Sequence, residues 1–421
     1  MDRLLIIADD FTGALDTGIQ FCKKGVKSKV VTEYNYDFNN LDPSISLLVI
    51  NTDSRPLPPA EAYTRVFNVT KKAVAAGFKN FYKKTDSGLR GNIGIELKAI
   101  IDGTGSRFLN FIPALPSLNR ITKNGIALID GVPVKESVFG NDPYEPVKYS
   151  DIAEIIHSQC NLNIKKIKQN DYDSVEWGEQ EQAVYLFDAE DSTDFTKIAK
   201  KMKSGDAFHL CAGCAGFASS YDFLLDFEKG TLPDIPKTDG LLVLCGSVNQ
   251  ITVEQLDYAE NSGFQRGNLK SFQKLNKNYL TSTEGQNFLN NLHKIMQDND
   301  KYILDTLDVP GEETVADYMT SHNMTLDECR VQISNTLGKI ALDMIKRGLN
   351  VTFSLTGGDT LMGLMRAAAC TELTPLAEIG KGAVLSLMKW KDQNVLVISK
   401  SGGFGEKSIF PLMYESLNIT K

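Results

Sequence analysis

Leu4-Leu5-Ile6-Ile7-Ala8-Asp9-Asp10-Phe11-Thr12-Gly13-Ala14 joins a short apolar run to two carboxylates and then to a helical pattern. A continuous apolar run of this length, bounded by polar residues, fits a strand buried on both faces. The pattern over Gly13–Lys24, closed by Gly25, predicts a helix. The same unit recurs along the first half of the chain. Strands are expected at Ser28–Thr32, Ser46–Asn51, Asn80–Lys84, Arg107–Pro113, Ala183–Phe187 and Ala207–Cys211. Helices are expected over Pro59–Ala76, Ile93–Ile101, Asp194–Met202 and Phe217–Phe227. Strand–helix repetition implies an α/β fold with a mainly parallel sheet covered by helices on both faces. Residues 114–150 break the rhythm with Pro116, Gly125, Gly131, Pro133, Gly140, Pro143 and Pro146, and read as a long ordered loop or a small hairpin excursion.

The alternation starts again after Lys229–Gly240, a segment with two prolines and two glycines that reads as a linker. Strands are expected at Leu241–Cys245, Tyr302–Leu304, Val351–Leu355 and Val395–Ser399. Helices are expected over Thr252–Glu260, Gln286–Met296 and Leu326–Arg347. Two domains follow, 1–232 and 240–421, which suits a 421-residue chain, because single cores stop growing at roughly 250–300 residues.

Composition narrows the function. The chain is 42% hydrophobic and 23% charged, with a formal net charge of −8, so it is globular and has no general nucleic-acid footprint. The 7 cysteines are an odd, scattered count, and no apolar stretch is long enough to span a bilayer. The N-terminal apolar run is short and ends in aspartates, so it reads as a strand and not as an export signal. A cytoplasmic protein with reduced thiols is the expectation.

In open α/β sheets ligands bind beyond the carboxyl ends of the strands. Asp9 and Asp10 close the first strand and could orient a hydroxyl, act as a base or hold Mg²⁺; the plain alternative is a helix cap and a solvated carboxylate. Asn51-Thr52-Asp53-Ser54-Arg55 ends another strand, with Arg55 suited to a carboxylate or to solvent. Lys83-Lys84-Thr85-Asp86-Ser87-Gly88-Leu89-Arg90-Gly91-Asn92 concentrates cations, hydroxyls and glycines between a strand and a helix, which favours an anion. In the second domain Cys245-Gly246-Ser247-Val248-Asn249-Gln250, Thr356-Gly357-Gly358-Asp359-Thr360 and Lys400-Ser401-Gly402-Gly403-Phe404-Gly405 are three strand-to-glycine turns. Each alone fits a tight turn; together they suit a phosphate cradle of backbone amides. The sequence contains no GxxxxGK[ST], no G-x-G-x-x-G after a strand and no G-x-S-x-G. Cys211-Ala212-Gly213-Cys214 reads as small residues packing a strand–helix turn, the redox-pair reading being the weaker one.

These residues resemble a known family. Ala8–Ala14, Lys84–Asn92, Pro113-Ala114-Leu115-Pro116, Gly131-Val132-Pro133-Val134, Asp142-Pro143, Gly246-Ser247, Gly357–Thr360 and Ser401–Gly405 are similar, in order, to the four-carbon acid sugar kinases, which act on threonate, erythronate or 3-oxo-tetronate. A threonine is usual in that pattern where Gly88 stands. The resemblance implies an N-terminal acid-sugar domain, a C-terminal ATP domain and an active site in the cleft between them. It implies that Asp10, Arg55, Lys84, Thr85, Asp86 and Ser87 hold the sugar acid, and Asp9 and Arg90 of the same clusters join them; Asp10 is the first candidate for the base, with Asp86 or Asp9 second. Ser247, Gly357, Gly358, Asp359, Thr360, Gly402 and Gly403 would hold ATP, and Asp359 is the candidate Mg²⁺ ligand. A non-catalytic sugar-acid sensor is the alternative. The identity of the acid sugar and the oligomeric state, a homodimer included, are left open by the sequence.

Overall fold

The computed structural model describes residues 2–142, 145–178, 181–231, 234–417 and 419. Pro143, part of the pattern quoted above, lies outside them. The chain divides into two compact units, Met1–Leu232 and Pro233–Lys421.

In the first unit the strands are β1 (Leu4–Ala8), β2 (Ser28–Val31), β3 (Leu47–Asn51), β4 (Asn80–Lys84), β5 (Phe108–Ile112), β6 (Arg120–Lys123), β7 (Ile126–Ile129), β8 (Val132–Pro133), β9 (Asn163–Ile167), β10 (Ala183–Phe187) and β11 (Leu210–Gly213). Eight of them form a parallel sheet in the order β2-β3-β1-β4-β11-β5-β10-β9. The chain leaves β1 for β2 and β3 on one side, then crosses back to β4 on the other. Strand order therefore reverses at β1 and β4, whose carboxyl ends, Ala8 and Lys84, lie in register. This is the switch point at which open α/β sheets bind ligands. Every residue of β1, β3 and β4 is buried, which explains the apolar runs of β1 and β3, and Leu5, Ile7, Leu48, Ile50, Leu97, Ile100, Leu109 and Phe111 belong to one core.

Residues 114–150 contain a second, antiparallel sheet, β6-β7-β8. Its two turns are Asn124-Gly125 (φ 53° and 74°) and Asp130-Gly131 (φ 51° and 81°). Two successive left-handed residues make the tight turn that suits strand twist, and Asn-Gly and Asp-Gly favour it. The Asp188 carboxylate anchors the first turn by accepting from the Asn124 and Gly125 amides at 2.7 and 2.8 Å.

In the second unit the strands are β12 (Leu241–Cys245), β13 (Gln265–Asn268), β14 (Lys301–Asp305), β15 (Thr352–Thr356), β16 (Glu372–Gly380), β17 (Ala383–Trp390) and β18 (Gln393–Lys400). Their order is β13-β14-β12-β15-β18-β17-β16, parallel through β18 and antiparallel beyond it. The helix Leu326–Lys346, opened by a Thr325–Glu328 capping box, packs on the helix Gly358–Ala368. A Cβ on Gly338 would lie 2.2 Å from the Gly363 backbone, so small residues permit the close crossing that fixes the second helix.

Three expectations change. The helix expected over Phe217–Phe227 is two single turns, Ala215–Ala218 and Tyr221–Leu224. The Ser219 hydroxyl donates to the Gly216 carbonyl at 2.8 Å and competes with helix propagation there. The strand expected at Ala207–Cys211 lies at Leu210–Gly213, where Gly213 pairs with Lys84. The edge strands β9 and β13 carry no fully buried residue, so no apolar run announced them.

Candidate active site

Asp10 caps the helix Phe11–Cys22 by accepting from the Gly13 amide at 3.2 Å. The Arg55 guanidinium reaches Asp9 Oδ2 at 2.8 Å and Asp10 Oδ1 at 2.6 Å, and lies 3.8 Å from Asp86. Burial pulls this guanidinium down, but three carboxylates outweigh it and hold it protonated well above its ordinary value. Burial likewise pushes the Asp9 carboxyl up, and Arg55, Lys83 and Lys84 more than reverse the effect, leaving it below the usual carboxylate range. Asp9 Oδ1 is buried without a hydrogen-bond partner, whereas Asp10, whose side chain is 28% exposed, keeps Oδ2 free of hydrogen bonds among the described residues.

Asp86 is fully committed. Its Oδ2 accepts from the Gly88 and Arg90 amides and from Arg90 Nε, and its Oδ1 accepts from Arg90 Nη2 at 3.0 Å. Burial opposes ionisation, yet Arg55, Arg90 and Lys84 hold this carboxyl far below the ordinary range. Arg90 also donates to Asp142 at 3.1 Å. Beneath the loop, Lys83 and Glu96 form a buried ion pair at 2.7 Å. Burial pushes the Glu96 carboxyl up against the pull of Lys83.

Lys84 is different. It is buried, its Nζ donates to the Thr85 carbonyl at 2.7 Å, and it has no carboxylate within 4 Å among the described residues. A Cβ on Gly13 would lie 2.8 Å from this ammonium and 2.5 Å from Asp10 Oδ1, so glycine is what lets the lysine approach the helix N-terminus. The Thr85 hydroxyl beside it is buried and unpartnered.

Two further residues at this site went unselected in the sequence. Arg120 donates from Nη1 to the Ser87 hydroxyl. The Phe139 ring lies between the Arg90 and Arg120 guanidinia, 5.1 and 4.9 Å from its centroid. A Cβ on Gly88 would sit 2.5 Å from that ring, so the bare glycine makes room for Phe139.

In the second unit the three glycine turns converge at the ends of the adjacent strands β12, β15 and β18. A Cβ on Gly246 would meet Thr360 Oγ1 at 2.4 Å, and one on Gly402 would meet Ser247 Oγ at 2.4 Å. Gly357 (φ 100°) turns the chain into the helix Gly358–Ala368, whose N-terminal amides face the same place. Thr360 is buried and donates to the Thr356 carbonyl at 3.0 Å, so it braces the turn, while Thr356 Oγ1 is buried without a partner. Thr252 and Gln255 were also missed. Thr252 Oγ1 donates to the Gly402 carbonyl at 2.7 Å, and Gln255 Nε2 donates to the carbonyls of Phe404, Gly405 and Glu406 at 2.8–3.1 Å. Asp359 pairs with Arg330 at 2.9 Å, and among the described residues no group of three His, Cys, Asp or Glu side chains could hold a metal ion.

Residues 4–221 match the family model described as a sugar-binding N-terminal domain, and residues 242–410 match one described as a nucleotide-binding C-terminal domain. The chain belongs to this sugar-binding, nucleotide-binding family. The chain is 26% identical to the D-threonate kinase of Salmonella typhimurium, over 96% of each chain. It is 25% identical to the D-erythronate kinase of Heliobacterium modesticaldum over 90% of each, and 25% identical to the 3-oxo-tetronate kinase of Haemophilus influenzae over 96% of this chain and 97% of that one. Two crystal structures share the fold. A Haemophilus influenzae protein matches with TM-score 0.73 at 22% identity, over 98% of this chain and 99% of that one. A Salmonella typhimurium protein carrying a provisional tRNA synthase label matches with TM-score 0.81 at 19% identity, over 99% of this chain and all of that one. At such identities the label transfers nothing beyond the architecture.

The sugar-binding unit thus gathers Asp9, Asp10, Arg55, Lys84, Thr85, Asp86, Ser87 and Arg90 at neighbouring strand ends, and the nucleotide-binding unit gathers Ser247, Gly357, Gly358, Thr360, Gly402 and Gly403. Asp359 stands at its edge, with a side chain 53% exposed. Cys211 and Cys214 are buried free thiols, and burial pushes Cys211 up to about 12, which suits packing. Among the described residues no helix is long and apolar enough to cross a membrane.

Proposed function

We propose that the protein is an ATP-dependent kinase that phosphorylates one hydroxyl of a four-carbon acid sugar. The observation that carries this reading is that relatives named as D-threonate and 3-oxo-tetronate kinases align over 96% of the chain, through both ligand-binding domains.

The geometry supports distinct roles. Arg55 is occupied by Asp9 and Asp10, so it orients the two aspartates and is not the main anchor of the substrate. Lys84, a buried ammonium with no ion pair among the described residues, takes the sugar carboxylate beside Thr85 and Ser87, while Arg90, held by Asp86 and Asp142, braces the loop and adds positive charge to it. Asp10 Oδ2 takes the proton of the attacking hydroxyl. Asp86, with four donors and a strongly stabilised charge, is a poor proton acceptor and instead fixes Arg90. The new bond joins the hydroxyl oxygen to the γ-phosphorus, and the bond to the β-phosphate oxygen breaks to release ADP. Such transfer depends mainly on positioning and charge stabilisation, so the base contributes a part and not the whole.

The converging glycine turns, the free Thr356 hydroxyl and the helix N-terminus fit the phosphates of ATP. A Mg²⁺ ion accompanying the nucleotide would neutralise part of its phosphate charge. Asp359 would reach the ion, directly or through water, only on parting from Arg330. A sugar-acid sensor has no use for this cradle. The test is ADP release over a panel of threonate, erythronate, 3-oxo-tetronate and related hydroxy acids. Release that no acid sugar stimulates would overturn the assignment.

A further inference from the structure

Lys400 ends β18 directly before the Ser401-Gly402-Gly403 turn and is 1% exposed. Two other deeply buried lysines have a carboxylate at hand: Lys83 meets Glu96 at 2.7 Å and Lys274 meets Asp308 at 3.4 Å. Lys400 has none within 4 Å among the described residues. Its Nζ donates to the Ser401 carbonyl at 2.9 Å and lies 3.4 Å from Thr252 Oγ1, the hydroxyl that in turn holds the Gly402 carbonyl. Its other neighbours among the described residues bring no negative charge. The Phe410 ring, on the helix Ile409–Glu415, is 5.8 Å away, and the thiol of Cys245 on β12 is itself pushed up to about 12 by burial.

An unpaired buried ammonium is costly, and a protein keeps one where an anion will arrive. On the reading that the glycine turns hold nucleotide phosphates, we infer that Lys400 is a positioning residue whose missing counter-ion is the phosphate of the bound nucleotide, acting through the Ser401–Gly403 turn and Thr252. The ammonium does two things there. It fixes the carbonyl of Ser401 and the hydroxyl of Thr252, so that the Gly402 and Gly403 amides are presented outward, and it adds positive charge behind them.

This role has a proton signature. Burial lowers the Lys400 pKa to about 8 in the free protein. An arriving anion raises it, so near pH 8.5 nucleotide binding takes up a proton, while at pH 7 the lysine is already charged and little uptake occurs.

The experiment is calorimetric titration of the full chain with ATP·Mg²⁺, without acid sugar, at pH 7 and pH 8.5 in buffers of different ionisation enthalpy. The wild type should take up about half a proton or more at pH 8.5. Lys400→Arg, always charged, should bind ATP without that uptake. Lys400→Met should bind roughly tenfold or more weakly at pH 7, also without uptake. Wild-type binding with no proton uptake at pH 8.5, or uptake that persists in Lys400→Arg, overturns the inference and leaves the nucleotide site standing. Absence of ATP binding by the wild type overturns the nucleotide site as well.

Discussion

Arg55 Nε meets Asp9 Oδ2 at 2.8 Å, and the same guanidinium holds Asp10. A residue that sequence pattern offers as a substrate clamp is thereby tied to two carboxylates of its own fold. Arg55→Met leaves Asp9, with a side chain 3% exposed, without its hydrogen-bonded counter-ion, Lys83 and Lys84 acting on it only from further away. The expected cost is about 3 kcal/mol or more, the usual penalty for breaking a buried pair. Urea unfolding measures it, and a loss below about 1 kcal/mol would show that the pair is not what organises the site.

The same ion network sets the acid response. Asp9 and Asp86 are both held below their ordinary pKa in the folded state. Depressed carboxylates contribute stability that is present above the unfolded-state pKa, near 4, and is lost as pH falls toward the folded one. Unfolding midpoints should therefore drop on acidification below about pH 4, and Asp86→Asn should flatten that drop. An unchanged slope in Asp86→Asn would contradict the assignment.

Gly88 and Phe139 should behave as a coupled pair. Gly88→Ala places a methyl 2.5 Å from the ring and should cost about 1–3 kcal/mol through overpacking. Adding Phe139→Ala should make the Gly88→Ala change nearly neutral. Thermal unfolding of the four variants gives the coupling directly, and strict additivity would mean that the ring is not where the fold places it.

Much of this was legible in the chain. The bounds of β1, β10 and β12 are legible because buried parallel strands are continuous apolar runs, whereas β4, with only Phe81 and Tyr82 apolar, lacks that signal. The polar loop Lys84–Asn92 was legible because its residue types cluster in sequence. Arg120, Phe139, Thr252 and Gln255 were not, since each acts on a turn far away along the chain: Thr252 serves Gly402 and Arg120 serves Ser87. Which cation remains unpaired was equally hidden. Arg55, Lys84 and Arg90 look alike as types, and only the fold shows that Arg55 and Arg90 are consumed by aspartates while Lys84 is not. The turns Asn124-Gly125 and Asp130-Gly131 are a readable hairpin signal within residues 114–150.

Gly402→Ala should damage nucleotide binding selectively. The added methyl falls 2.4 Å from Ser247 Oγ and pries apart two of the three turns. The thermal shift produced by ATP·Mg²⁺ should shrink or vanish. A shift of wild-type size would remove the Ser247–Gly402 contact from the nucleotide site.

The most direct measurement is coupled ADP release with ATP·Mg²⁺ and a panel of four-carbon acid sugars, run on the wild type and on Asp10→Asn. The account predicts ADP release that depends on at least one acid sugar, and its loss in Asp10→Asn with folding and the ATP-induced thermal shift retained. ATP binding without acid-sugar-dependent release by the wild type would contradict the kinase assignment, and near-normal turnover by Asp10→Asn would remove Asp10 as the base.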